Sequence, residues 1–120
     1  MLDMVFQQVF HIDGALAANH TFTFKAPFGM TLIHASLSNA SANAGTLDIG
    51  ESTDADGYKD GFAFGVSGAC TELAAASDFD GALAGSQYPH LDDGDIFSIT
   101  IIDHASHMTA PCVVLTWLAG

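Results

Sequence analysis

The chain has 120 residues, which is enough for one domain built around a single hydrophobic core. Fourteen Asp and Glu residues face two lysines and no arginine, giving a formal net charge of −12 at pH 7, so nucleic acids and anionic lipid surfaces should repel the protein. Its apolar runs are far shorter than the roughly 20 residues of a membrane span, so we expect neither nucleic-acid nor membrane partners.

The carboxylates are unevenly placed along the chain. Twelve of them lie between Asp48 and Asp103, and the first 47 residues are nearly uncharged. With 49% apolar residues and few charges, we expect part of the surface to be covered by another chain. The alternative is that the many Ala, Gly and Ser residues make a smooth, weakly polar surface.

Apolar and polar residues alternate with a period of two in the N-terminal part, which predicts β-strands. In "MVFQQVFHI" one face carries Met4, Phe6, Phe10 and Ile12. After a turn at Asp13-Gly14, "HTFTFK" predicts a second strand that ends before Pro27 and Gly29, and "TLIHASLS" predicts a third. The first half of the chain therefore reads as three strands.

The middle of the chain has weaker signals, and the end has strong ones. "TLDIG" predicts a short strand ending at Gly50, and Thr71 to Ala76 predicts a turn or two of helix. Strong strands follow at Ile96 to Asp103 and in "PCVVLTWL". The whole pattern predicts an all-β fold over residues 1–120: a single antiparallel β-sandwich domain, jelly-roll-like, with at most one short helix.

The run "LDIGESTDADGYKDG" suggests a calcium loop, with Asp54, Asp56 and Asp60 as candidate ligands. The helix–loop–helix template needs oxygen ligands at positions 1, 3 and 5, Gly at 6 and Glu at 12, and no register of this run provides them. An irregular calcium cage remains the alternative. We favour a solvated acidic turn, and we read "LDDGD" likewise as a hairpin turn. No cofactor is therefore expected.

Two further groups of residues are candidates for a metal or redox site. "DHASHM" offers Asp103, His104 and His107, but it falls between two strands, where exposed loop histidines are the simpler interpretation than a zinc site. Cys70 and Cys112 match no zinc or redox spacing, and a disulfide between them stays open. Since no Ser-His-Asp, P-loop or dinucleotide pattern occurs, we expect the protein not to be an enzyme.

Two segments, "TLDIGESTDADGY" and "SQYPHLDDGDIF", together resemble sequences of small tailed-bacteriophage virion structural proteins, most of all capsid decoration (cement) proteins. The opening "HIDGALAANHTFTFKAPFGMTLIHAS" is similar to the same proteins, so the resemblance spans roughly residues 5–117. It implies a β-rich protein on the outer capsid surface, bound to the major capsid protein and commonly a homotrimer. The motifs are structural, so no catalytic residue carries over.

The residues agree with such a binding role. The apolar first segment could dock on a neighbouring chain by strand addition, and we expect partner contacts from a set of five residues: Met1, Leu2, Met4, Phe6 and Trp117. Two alternatives stay open. One is a phage tail or receptor-binding subunit. The other is a calcium-dependent carbohydrate-binding module with Trp117, Tyr58 and Tyr88 as an exposed stacking platform.

Overall fold

Nine β-strands make up about half of residues 4–120, the part of the chain that the computed structural model describes. A single 3₁₀ turn lies at Ala76–Asp78, and no helix of these residues is long and apolar enough to cross a membrane. The strands are β1 (Val5–His11), β2 (His20–Lys25), β3 (Met30–Ser38), β4 (Thr46–Glu51), β5 (Asp54–Ala63), β6 (Thr71–Leu73), β7 (His90–Leu91), β8 (Ile96–Ile102) and β9 (Cys112–Ala119).

The strands form two antiparallel sheets that pack face to face. One sheet has the order β1-β9-β3-β6, with the short β7 also paired to β3, and the other has the order β2-β8-β4-β5. Leaving β7 aside, these are the two four-stranded sheets of a jelly roll, in which most connections cross from one sheet to the other. The predicted all-β, jelly-roll-like sandwich is confirmed.

The core follows from the alternation seen in the sequence. On β9, Val113, Leu115 and Trp117 point inward and are fully buried. Across the sandwich they face the second sheet, where Phe97 of β8 contacts Trp117 edge-on with ring centroids 5.0 Å apart. One apolar cluster runs through both sheets, so the sheets bury a shared core.

The acidic run after β4 is not the solvent-facing turn that we predicted from the sequence. Only Ser52 and Thr53 lie between β4 and β5, and the run from Asp54 forms the first half of β5. The carboxylates project into solvent, whereas Tyr58 in the same strand is buried. Sheet pairing and one buried aromatic ring thus outweigh the turn preference of Asp and Gly.

The helix predicted from Thr71 to Ala76 is also wrong. Thr71–Leu73 pairs with β3 as the edge strand β6, and Leu73 is buried in the core. A helix of one or two turns has a costly nucleus, so burial of Leu73 beside β3 decides the conformation. A helical conformation is found instead in the 3₁₀ turn at Ala76–Asp78, where the Asp78 side chain accepts hydrogen bonds from the Ala74 and Ala75 amides.

Candidate docking surfaces

The outer face of the five-stranded sheet is nearly free of charge. Strand register places the outward side chains of β1, β9 and β3 in cross-strand rows, and Val5 and Val9 are more than half exposed. Two carboxylates contact the rim of these rows: Asp13 lies 2.9 Å from His11 Nε2, and Glu72 on β6 lies 3.7 Å from His34 Nε2. We call this surface the neutral face; its members are Val5, Gln7, Val9, His11, Thr31, His34, Ser36, Ser38, Cys112, Val114, Thr116 and Leu118.

A row of phenylalanines lines one side of the sandwich, where β1 and β2 are the edge strands of the two sheets. Phe10 lies 5.0 Å from Phe22 and 6.1 Å from Phe24 between ring centroids, and Phe6 contacts Phe28 at 5.7 Å. Phe28 is exposed, and the other four rings are only partly buried. We call these five residues the aromatic edge.

Both edge strands offer unpaired backbone groups. Within residues 4–120, β1 pairs only with β9 and β2 only with β8, which leaves one side of each strand open. Exposed strand edges are sites at which another chain can add a strand. The aromatic edge therefore combines open hydrogen-bonding groups with partly exposed rings.

The outer face of the other sheet is acidic. Asp48 on β4 lies near Asp56 and Asp60 on β5, and its pKa is raised by partial burial and by these two carboxylates, although the Gly61 amide donates a hydrogen bond to it. The pKa of Asp54 is raised by its hydrogen bond to Asp56. No three acidic, His or Cys groups of the described residues are arranged to hold a metal ion. The sandwich thus has one neutral and one acidic face.

The residues predicted to contact a partner have different positions in the fold. Met4 is half exposed and Phe6 belongs to the aromatic edge, while Met1 and Leu2 lie outside the described residues. Trp117 is fully buried against Phe97, and its indole N–H donates to Gln8 Oε1 at 2.8 Å. The expected partner contact by Trp117 is therefore wrong, because an inward position on a central strand belongs to the core.

The stacking platform of the carbohydrate-binding alternative does not form. Trp117 and Tyr58 are buried, and only Tyr88 exposes part of its ring. Their burial follows from inward positions on β9 and β5. The carbohydrate-binding alternative therefore lacks the platform that it requires.

The Asp103 side chain holds together the loop between β8 and β9 by accepting three hydrogen bonds. Its carboxylate, only 8% exposed, accepts hydrogen bonds from the His104 and Met108 amides at 2.9 Å and from His107 Nδ1 at 2.6 Å. Burial alone would raise the pKa of Asp103, but these three donors outweigh it and hold the pKa below its usual value. The group stabilises the loop, and His107 is an exposed loop residue, as expected from the sequence.

The two cysteines are free thiols on either side of β3. Cys112 pairs with Ser38 on one side of β3, and Thr71, next to Cys70, pairs with Leu37 on the other. Two strand spacings, roughly 10 Å, exceed the Cα separation that a disulfide allows. Burial, and then the neighbouring Cys70, raise the pKa of the Cys112 thiol.

Comparisons with known proteins yield structural similarity alone. No family model matches the sequence, and no curated protein does. A chain of the cyanophage Pam1 capsid asymmetric unit matches with a TM-score of 0.54 and 14% identity, covering 98% of this chain and 85% of its own. A chain of the acidic stable capsid of Helicobacter pylori bacteriophage KHP30 gives a TM-score of 0.39 and 10% identity, covering 96% and 94%. The similarity to the Pam1 chain shows that the two chains share a fold.

Proposed function

We propose that this protein is a non-enzymatic virion component that decorates and stabilises the outside of a tailed-phage capsid by bridging major capsid protein subunits. Two observations support this, the fold and the distribution of surface charge. The chain shares its fold with a chain of a cyanophage capsid, and jelly rolls recur in viral capsids. Since one fold serves many functions, the proposal rests mainly on the surface of this chain.

The observation that carries the proposal is the separation of charge on the surface. A chain with a net charge of −12 presents a neutral face and an adjoining aromatic edge, while its carboxylates cluster elsewhere. Like charges repel a second copy at any acidic surface, so close packing of copies is most favourable where carboxylates are few. The aromatic edge meets that condition, and so does the neutral face, where Asp13 and Glu72 lie at the rim beside histidines.

These two patches fit a cyclic homotrimer. In a ring of three, each copy contacts its two neighbours through two different surfaces. The neutral face of one copy would meet the aromatic edge of the next, and Val5 and Val9 would be buried against phenylalanines. Three strands of the neutral face cover roughly 300 Å² per copy from their spacing, and the aromatic edge adds area toward a standard interface of about 800 Å² per partner.

The net charge also favours the outer surface of the shell. The packaged DNA would repel an acidic protein from the interior, whereas on the outside the acidic face can stay hydrated. Many copies, each bridging neighbouring major capsid protein subunits, would oppose internal pressure through summed weak contacts.

The mass of the purified protein tests the assembly. Light scattering after size exclusion should give three times the 12.5 kDa of one chain. Val9→Asp adds a carboxylate to the neutral face and should yield monomers. Ala55→Asp, which adds the same group at an exposed position of β5, should leave the trimer intact. A wild-type protein that stays monomeric at high concentration would contradict the assembly.

Capsid binding tests the location. Shells of the parent phage that lack the protein should retain it on sedimentation, and electron microscopy should show added density at the joints between major capsid subunits. Density on the tail alone would favour the tail or receptor-binding alternative. Failure to bind either structure would refute a virion role.

A further inference from the structure

A cleft of about 380 Å³ opens where the end of β4 meets β5 and the segment before β7. Its lining residue His90 contacts Thr31 of the neutral face at 2.8 Å, but none of the lining residues belongs to that face or to the aromatic edge, so the proposed function does not use the cleft. Six of its lining residues matter here: Glu51, Tyr58, Leu83, Gln87, Tyr88 and His90. None of its lining residues is a lysine or an arginine.

The Glu51 carboxylate is oriented by one hydroxyl group of the protein. Thr53 Oγ1 donates to Glu51 Oε1 at 2.6 Å, and Tyr58 lines the same cleft. Burial, followed by the charges of Glu51 and Asp95, raises the pKa of Tyr58 to about 12, so Tyr58 keeps its proton at neutral pH. An ionised carboxylate has about four acceptor positions, so about three remain for a ligand.

The wall beside this carboxylate is aromatic and apolar. The Tyr88 hydroxyl donates to the Ala74 carbonyl at 3.0 Å, which fixes the ring, yet 39% of the residue is exposed. Leu83 is 48% exposed. The Gln87 side-chain amide has no hydrogen-bond partner among the described residues. The cleft therefore joins an oriented carboxylate to a fixed aromatic ring and an apolar side chain.

Charge decides which ligand suits this arrangement. His90 contacts Asp92 at 3.4 Å, so a second carboxylate lies just outside the cleft. Lys59, one of the two lysines, is paired with Asp80 at 3.1 Å. A carboxylate without a cationic partner, next to an aromatic ring, favours a cation, and a neutral sugar would gain nothing from the negative field.

We propose that the cleft binds an arginine side chain of a partner protein. The guanidinium group would donate two parallel hydrogen bonds to Glu51 and stack on Tyr88, and its aliphatic stem would lie along Leu83. A lysine could not make the paired hydrogen bonds. This inference concerns the cleft alone and holds whether or not the protein is a virion component.

A nuclear magnetic resonance titration of the ¹⁵N-labelled protein with N-acetyl-arginine-N-methylamide tests the inference. Saturable amide shifts should appear at Glu51, Gln87, Tyr88 and His90, with affinity in the millimolar range. The neutral isostere N-acetyl-citrulline-N-methylamide should bind at least about tenfold more weakly, because it lacks the charge. Equal binding of the two compounds, or shifts with methyl galactoside but not with arginine, would overturn the inference.

Two variants and one control complete the test. Glu51→Gln should weaken arginine binding by at least about tenfold, and Tyr88→Leu by about threefold or more. Glu72→Gln removes the same charge from an exposed position on β6 and should change affinity less than about twofold, because exposed charges are screened. If Glu72→Gln weakens binding as much as Glu51→Gln does, only net charge matters and the proposal is wrong. Tyr88→Leu keeps the carboxylate and so tests the cleft even if Glu51→Gln unfolds.

Discussion

Replacing Asp103 by alanine should destabilise the protein far more than any other loss of a surface carboxylate. The change removes the acceptor of three hydrogen bonds in the loop between β8 and β9. The Met108 amide has the most to lose, since Met108 is fully buried and water cannot replace the carboxylate there. The His104 amide and the His107 ring lie nearer to solvent and can be rehydrated.

The magnitude follows from these three contacts. A hydrogen bond to a charged group contributes about 1.5–3 kcal/mol, and a buried donor left without a partner costs about 1–3 kcal/mol. Counting the Met108 contact in full and the other two in part gives a loss of about 3 kcal/mol for Asp103→Ala. In a domain of this size that lowers the melting temperature by roughly 12 °C. Asp103→Asn keeps one oxygen acceptor and should lose less.

Urea unfolding and thermal melting measure this loss, with Asp13→Ala as the matched control. Asp13 is fully exposed, and its one side-chain contact among the described residues is with His11 Nε2 at 2.9 Å, so its loss should leave the melting temperature nearly unchanged. Because the folded pKa of Asp103 is lowered, its contribution is present above its unfolded pKa and is lost as pH falls through the folded value. The difference between wild type and variant should therefore shrink below pH of about 4. Equal losses in the two variants would refute the reasoning.

Three further predictions concern other parts of the sandwich. Asp60→Asn should stabilise the protein at pH 7 by a few tenths of a kcal/mol, because the Asp60 charge helps to raise the pKa of Asp48 and so to destabilise its ionised form. This penalty is relieved as Asp48 is protonated, so the advantage of the variant should shrink as pH falls from 7 to 4; a variant that melts below the wild type at pH 7 would contradict this. Trp117→Ala should cost about 3–5 kcal/mol in urea unfolding, whereas a loss of association without a loss of stability would restore the partner-contact prediction. Gly81→Ala should lower the melting temperature more than Gly61→Ala does. A Cβ at Gly81 would clash with the Gly57 backbone, whereas a Cβ at Gly61 meets nothing and is disfavoured only by the φ of +67°, by about 1 kcal/mol. The reverse order would mean that the loop containing Gly81 does not pack on β5.

The sequence by itself determined the fold class and most of the strong strands. Alternation at 4–12 and 20–25 separates the phenylalanines from the outward residues, because a strand buried on one face must repeat with period two. At 112–119 both faces are apolar, so alternation predicted the strand but not its inward face. The first 47 residues are nearly uncharged, and β1 and β3 in this part of the chain supply two of the three strands of the neutral face. These features are local, so no knowledge of distant neighbours was needed.

Only the tertiary structure decided features that depend on residues far apart in the chain. The acidic run became strand β5 because it pairs with β4 and buries Tyr58, and Thr71–Leu73 became a strand because β3 offers it an open edge. Trp117 is excluded from the surface because β9 lies between β1 and β3. The cleft joins Glu51 to Tyr88, which are 37 positions apart; Glu51 ends β4 in one sheet and Tyr88 precedes β7 in the other, so only the packed fold brings them together. Long-range pairing is a property of the whole chain, so no short segment of sequence can encode it.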